Sequence, residues 1–168
     1  RKNSNKKYDL DGNLAATGKK NEIIYEQAQE LYSNRIDKNK LSYDTSDFDI
    51  SFSRGLSLED GATTLTHFTA SVIAESFISF ISNKDLILDE VLICGGGRKN
   101  KVLINEISKI LADKFKFKPI DEYGINGDFV ESQAFAFLAV RSFKKLPISF
   151  PSTTNCKNPC TGGEIIDN

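Results

Sequence analysis

The sequence has little with which to hold a polyanion, a lipid surface or a disulfide framework. Twenty-two basic residues stand against 23 acidic ones, for a net charge of -1 and a pI near 5.9. No overall basic field is therefore available to nucleic acid or anionic lipid, and the clusters Arg1-Lys2 and Lys6-Lys7 read as solvated chain at a terminus. The three cysteines are an odd set. Cys94 occupies a strand position that wants a small apolar residue. Cys156 and Cys160 are separated by Lys-Asn-Pro, with no His or further Cys nearby, so neither a disulfide framework nor a zinc site is expected and the thiols read as reduced. No apolar run approaches the roughly 18 residues of a membrane span and no signal peptide opens the chain, which points to the cytoplasm. The one histidine, His67, has no Ser or Cys nucleophile motif beside it and receives no chemistry. The chain opens on Arg1 rather than Met, so a fragment is expected.

Two nucleotide fingerprints are missing as well. Gly95, Gly96 and Gly97 follow a short apolar strand in VLICGGGRKN, but Asn100 stands where the third glycine of Gly-x-Gly-x-x-Gly belongs. Arg98-Lys99-Asn100 also replaces the Gly-Lys-Ser/Thr of a P-loop, which disfavours a Rossmann dehydrogenase and excludes a Walker site. What remains is a strand, a glycine turn and a helix. Residues without Cβ allow positive φ and close approach of a ligand, and the helix that follows presents unpaired N–H groups. By itself such a triplet is more often a plain turn. The architecture it implies is α/β, with 39% hydrophobic and 27% charged residues over 168 positions fitting one domain.

Along the chain, Tyr8 to Gly18 is turn-rich, and Ile23, Ile24, Tyr25, Ala28 and Leu31 then recur at helical spacing. Tyr32 to Gly55, with Tyr43, Phe48 and Phe52, fits neither period and reads as an ordered loop. Ser57 caps a long helix from about Leu58 to Ile81, whose stripe is Leu65, Phe68, Val72, Phe77, Phe80 and Ile81. Asn100 caps the helix carrying Val102, Leu103, Ile107, Ile110 and Leu111. Phe115 to Ile120 reads as a strand ended by Pro119, and Asp121 to Gly127 as a loop at a strand end, where α/β folds place ligands. Asp128 and Glu131 have the spacing of a cap and its reciprocal carboxylate at the start of the next helix, in which Ala134, Ala136 and Ala139 permit close packing. Residues 145–168 form an extended tail without regular structure.

Taken together, CGGGRKN, GINGDFVESQAFAFLAVRSF, LPISFPSTTN and TGG resemble the carboxyl half of the anhydro-N-acetylmuramic acid kinase family. YDLDGNLAATGKKN and LSLEDGATTLTHFTA are similar to it in the same order, so the likeness covers almost the whole chain. The resemblance implies a ribonuclease H-like lobe of the actin and hexokinase type, a mixed sheet flanked by helices, with residues 1–20 connecting to a missing N-terminal lobe. It implies ATP-dependent phosphorylation of 1,6-anhydro-N-acetylmuramic acid with opening of the anhydro ring, giving N-acetylmuramic acid 6-phosphate in peptidoglycan recycling. Gly95, Gly96, Gly97 and Asn100 fall on the nucleotide side of the cleft, and Mg²⁺ accompanies ATP without a protein metal cage. Homodimerisation is left open.

The family's general-base aspartate belongs to an Asp-Thr-Gly-Pro-type motif upstream of Tyr8, so no catalytic residue is expected in this chain, and the isolated fragment is expected to be inactive. Asp44-Thr45-Ser46-Asp47 is not that motif; it follows Asn39-Lys40-Leu41-Ser42, where relatives have Pro-Pro-Lys-Ser. Asn155 stands where a Thr-Thr-Gly turn would have glycine, a position that Asn tolerates in left-handed geometry. Glu131 is a candidate substrate- or water-contacting carboxylate as well as a cap residue. The alternatives are a non-catalytic nucleotide-binding or dimerisation remnant of a split gene, and a hexose kinase of the same fold.

Overall fold

The computed structural model describes residues 7–35, 47–84, 87–112 and 114–166. The expectations for Arg1, Lys2, Lys6, Asn39 to Ser42, Tyr43 and Asp44 to Ser46 lie outside the described residues. The elements run α1 (Glu22–Arg35), α2 (Leu58–Lys84), β1 (Glu90–Ile93), α3 (Lys101–Ile110), β2 (Lys116–Pro119), α4 (Val130–Phe143) and the single-turn α5 (Pro151–Thr154).

Local capping sets the helix starts. Asn21 Oδ1 accepts from Ile24 N at 3.1 Å at the head of α1. Ser57 Oγ accepts from Asp60 N at 3.1 Å at the head of α2, as the sequence predicts, with Glu59 and Asp60 favouring the positive end of the dipole. The turn-rich leader is locked by Asp9, whose two carboxylate oxygens accept from Leu14 N at 2.7 Å and Ala15 N at 3.0 Å. Thr63 Oγ1 then donates to Ala15 O at 2.7 Å, which ties this leader to α2.

The face that α2 buries differs from the expected stripe. Thr64, Ala70 and Ala74 are fully buried and Ser71 nearly so, while Phe80 is 54% exposed. Phe68 and Phe77 do turn inward. The reason is close approach: α2 packs between α1 and α3, and only small side chains let helix backbones come near enough on two sides. Ala70, Ala74, Ile107 and Leu111 form the core with Phe77, Leu103, Ile104, Phe115 and Phe117 packed on it. Phe77 and Phe115 meet edge to face at 5.1 Å. On the α1 side, Phe68 meets Tyr32 and Phe52, and Phe48 stacks on Tyr32, which accounts for two of the aromatics of the ordered loop. Within α2, Leu58–Ser82 is long and apolar enough by length and composition to cross a membrane, contrary to the expectation for this sequence. Its small residues Thr64, Ala70 and Ala74 are buried where it packs against α1 and α3.

β1 and β2 pair in parallel, Glu90 opposite Lys116 through Ile93 opposite Pro119, connected through α3. Among the described residues the sheet is therefore small and parallel rather than mixed, as a strand–helix–strand crossover requires. Two further expectations change. Ala134, Ala136 and Ala139 of α4 are exposed instead of closely packed. The tail adds regular structure, namely α5 and an antiparallel bridge between Ser149 and Cys160. Asn155 ends α5 at φ 56, ψ 25, the left-handed geometry anticipated for it.

Candidate functional site

β1 ends at Ile93, so Cys94 lies past the strand and is exposed, not inside it as expected. The chain then bends at Gly95, with φ 75 and ψ 173, a conformation that side chains with a Cβ rarely adopt. A Cβ built on Gly95 or Gly96 would meet nothing within 4 Å, and one on Gly97 would meet only Leu103 Cδ2 at 3.8 Å. The glycine corner is thus open on its outer side and is not sealed in the interior. Gly96–Lys99 form a single 3-10 turn leading into α3.

Asn100 caps α3 as predicted: its Oδ1 accepts from Leu103 N at 3.0 Å. Gly12 of the leader, at φ 76, lies directly over this cap, since a Cβ there would stand 2.1 Å from Asn100 Oδ1. Asn100 is half-buried, and its carbonyl oxygen is occupied by the helix. The structure thus separates the predicted quartet into three open glycines and one asparagine that shapes the base beneath them.

The second candidate segment is bound to the first. Gly95 N donates to Gly127 O at 2.9 Å. Arg98 donates from Nε and Nη2 to the two oxygens of Asp121 at 2.9 and 3.0 Å, and from Nη1 to Gly95 O at 2.9 Å and to Asp128 Oδ1 at 2.6 Å. Lys99 Nζ takes the other Asp128 oxygen at 2.6 Å. The guanidinium is only 7% exposed, although both carboxylates reach solvent. Its hydrogen bonds to Asp121 and Asp128 push the Arg98 pKa up, and the Arg98 and Lys99 bonds bring the Asp128 carboxyl down to about 2. Asp121 is lowered by Arg98 and by Gly127 N–H.

These ion pairs overturn the expected Asp128–Glu131 capping box. The N-cap of α4 is Phe129, with no side-chain hydrogen bond, because both Asp128 oxygens are held by cations. A charge-assisted bond to guanidinium or ammonium outcompetes one to a neutral N–H. Glu131 is left exposed on the first turn of α4 with its carboxylate uninvolved in capping. Sequence reasoning placed Arg98 in the glycine segment and Asp121 at the start of a ligand-facing loop, but missed that the two pair. They stand 23 residues apart, and no local period connects a turn arginine to an acid in a later loop.

His67, given no chemistry, lies on the seam between α2 and α3 with Nδ1 3.2 Å from Glu106 Oε2. Burial lowers its pKa, and this outweighs the opposing pull of Glu106. The cysteines are free thiols, and Cys160 is pushed up by partial desolvation and by neighbouring Cys156. Among the described residues no group of three or more His, Cys, Asp or Glu could hold a metal ion. Beyond Glu131, α4 and the tail frame an open apolar groove of about 580 Å³, lined by Phe135, Leu138, Phe143, Ile148 and Ile165.

The sequence model of the family described as anhydro-N-acetylmuramic acid kinase matches residues 1–168. A protein of that name from Pelagibacter ubique is 45% identical over the whole chain, which covers 45% of the relative. One from Zymomonas mobilis is 39% identical over 94% of the chain and 41% of the relative, and one from Caulobacter vibrioides 36% over 95% and 41%. The chain thus spans less than half the length of these relatives. With an open glycine corner at the end of a parallel strand and a match along its full extent, the chain belongs to the anhydro-N-acetylmuramic acid kinase family.

Proposed function

We propose that this chain is the C-terminal lobe of a two-lobed sugar kinase. Its glycine corner receives the adenosine side of ATP, and the complete enzyme phosphorylates 1,6-anhydro-N-acetylmuramic acid. Water adds at the anomeric carbon, the bridging oxygen leaves that carbon, and the same oxygen takes the γ-phosphoryl group, giving N-acetylmuramic acid 6-phosphate and ADP for peptidoglycan recycling in the cytoplasm. The lobe is of the ribonuclease H-like type. The observation that carries the reading is the openness of Gly95 and Gly96, where a flat base or a phosphate could lie against bare backbone without displacing any protein atom.

Gly95, Gly96 and Gly97 form the nucleotide surface, and Asn100 holds the helix start beneath it. Glu131, uncapped and solvent-facing, addresses the sugar or the attacking water. The general-base aspartate comes from the preceding lobe. Mg²⁺ enters with the ATP phosphates. The exposed apolar side chains of α4, with Phe135 at 64% and Phe143 at 70% exposure, support a further part of the protein packing there.

The test is ATP-dependent phosphorylation of the anhydro-sugar by the full-length protein and by this chain alone, with glucose as the competing acceptor. Turnover of the anhydro-sugar by the full-length protein and none by the isolated chain is expected. Preference for glucose would move the assignment to a hexose kinase, and turnover by the isolated chain would remove the need for a second lobe.

A further inference from the structure

Resting on the reading of the glycine corner as the nucleotide surface, we propose that Arg98 is a positioning residue, clamping that corner to the Asp121–Asp128 loop so that both ligand-facing segments present one fixed geometry to ATP. Three features carry this. The guanidinium joins four acceptors on two segments: Asp121 through a two-pronged fork, Asp128, and the carbonyl of Gly95 itself. Gly95 has both backbone polar groups held, its N–H by Gly127 O and its C=O by Arg98, so the bend at φ 75 cannot swing without breaking the clamp. Gly127 is buried with the guanidinium close against it, and an added Cβ would stand 2.6 Å from Arg98 Nε and 2.8 Å from Asp121 Oδ2.

The clamp also accounts for the acids. Asp121 and Asp128 would repel one another across Gly127 without the cation between them, and the glycine corner would lose its tie to that loop. Arginine suits this place better than lysine. Its planar fork satisfies a carboxylate with two parallel bonds while a third nitrogen reaches elsewhere, and an ammonium cannot span those acceptors at once. Lys99, which is half exposed and bound to Asp128 alone, lacks that reach.

The experiment compares Arg98→Ala, Arg98→Lys, Gly127→Ala and Gly96→Val in the full-length protein, measuring kcat, both Michaelis constants and melting temperature. Amide exchange of segments 95–99 and 121–128 is measured alongside without any ligand. For Arg98→Ala the Michaelis constant for ATP should rise on the order of tenfold to a hundredfold, with that for the sugar unchanged and the melting temperature lowered by only a few degrees, since the partner carboxylates reach solvent. Exchange should quicken in both segments together. Guanidinium at about 20 mM, far below its denaturing range, should restore much of the loss, whereas Arg98→Lys should restore little. Gly127→Ala should reproduce the Arg98→Ala effect without altering any charge. If Gly96→Val weakens ATP use while Arg98→Ala leaves it intact, the clamp is wrong and the nucleotide site stands. If neither variant affects ATP, the site reading fails and the clamp with it. Equal losses in both substrates together with a large drop in melting temperature would reduce Arg98 to a structural residue and overturn the inference.

Discussion

Gly12→Ala places a methyl group where the structure has no room for one, and the cost can be assembled from two local terms. The added Cβ would stand 2.1 Å from Asn100 Oδ1, 2.8 Å from Asn100 Cγ and 3.3 Å from Val102 Cγ2. An overlap that deep forces Asn100 to rotate away, which releases Leu103 N from its cap. Loss of an Asn cap costs about 1 kcal/mol, and holding an L-residue at φ 76 costs roughly 1–2 kcal/mol more. The sum is about 2–3 kcal/mol, which for a chain of this length lowers the melting temperature by several degrees, at ~2–4 °C per kcal/mol. Urea denaturation of Gly12→Ala, Asn100→Ala and the double variant reads both terms. Asn100→Ala alone should cost about 1 kcal/mol. In the double variant the cap is already gone and the steric conflict relieved, so the two losses should add to less than their sum. Strict additivity would show that Gly12 and Asn100 do not meet as described, and a neutral Gly12→Ala would refute the close approach outright.

Three other outcomes follow from the same packing and charges. Ala74→Leu should destabilise by about 1–3 kcal/mol through overpacking, whereas Phe80→Ala, at a half-exposed position, should cost less; the opposite order would restore the stripe of large residues as the buried face. His67 binds its proton more weakly folded than unfolded, because burial and the charges of Lys20 and Lys109 outweigh Glu106 and Glu22. The unfolded chain therefore holds more protons just below its own pKa of about 6.5, and stability should rise with pH up to that value and then level off. His67→Gln should flatten this rise in urea melts taken between acid and neutral pH, and a slope unchanged by the substitution would dismiss the effect. Asp128, with its folded pKa depressed to about 2, contributes stability above its unfolded pKa of about 3.9, and that contribution is lost as pH falls through the interval. Carboxyl titration by NMR should find Asp128 ionised well below an ordinary aspartate, and a normal midpoint would mean the Arg98 and Lys99 bonds do not persist in solution.

Features encoded within a few residues were legible in the sequence. The strand into the glycine bend, the Ser57 and Asn100 caps, the end of β2 at Pro119 and the left-handed Asn155 all depend on backbone preferences of their own neighbourhoods. What misled was pattern without its partner. Helical periodicity weights large apolar residues, so it selected Leu65, Val72 and Phe80, while the neighbours of α2 on two sides select for Thr64, Ala70 and Ala74. In the same way the Asp128–Glu131 spacing is a sound local cap, displaced by Arg98 and Lys99 from 30 and 29 residues away.

The helix α4 shows why the site was only half legible. Phe135, Phe137, Val140 and Phe143 are all exposed and fall at different angles on the helix, so apolar surface is spread around it rather than gathered on one face. A helix of that kind is built for burial on more than one side, and among the described residues it is held against the tail, by Arg141 Nε donating to Pro147 O at 2.7 Å and by a Ser142–Gly162 hydrogen bond. Under the two-lobed arrangement proposed above, the preceding lobe supplies the missing sides. Glu131, at the first turn of the same helix, would then be carried into the cleft by the packing that covers the phenylalanines. The position of the carboxylate and the burial of the helix become one requirement, so a polar substitution at Phe137 should impair sugar turnover in the full-length protein while leaving the fold of this lobe unchanged.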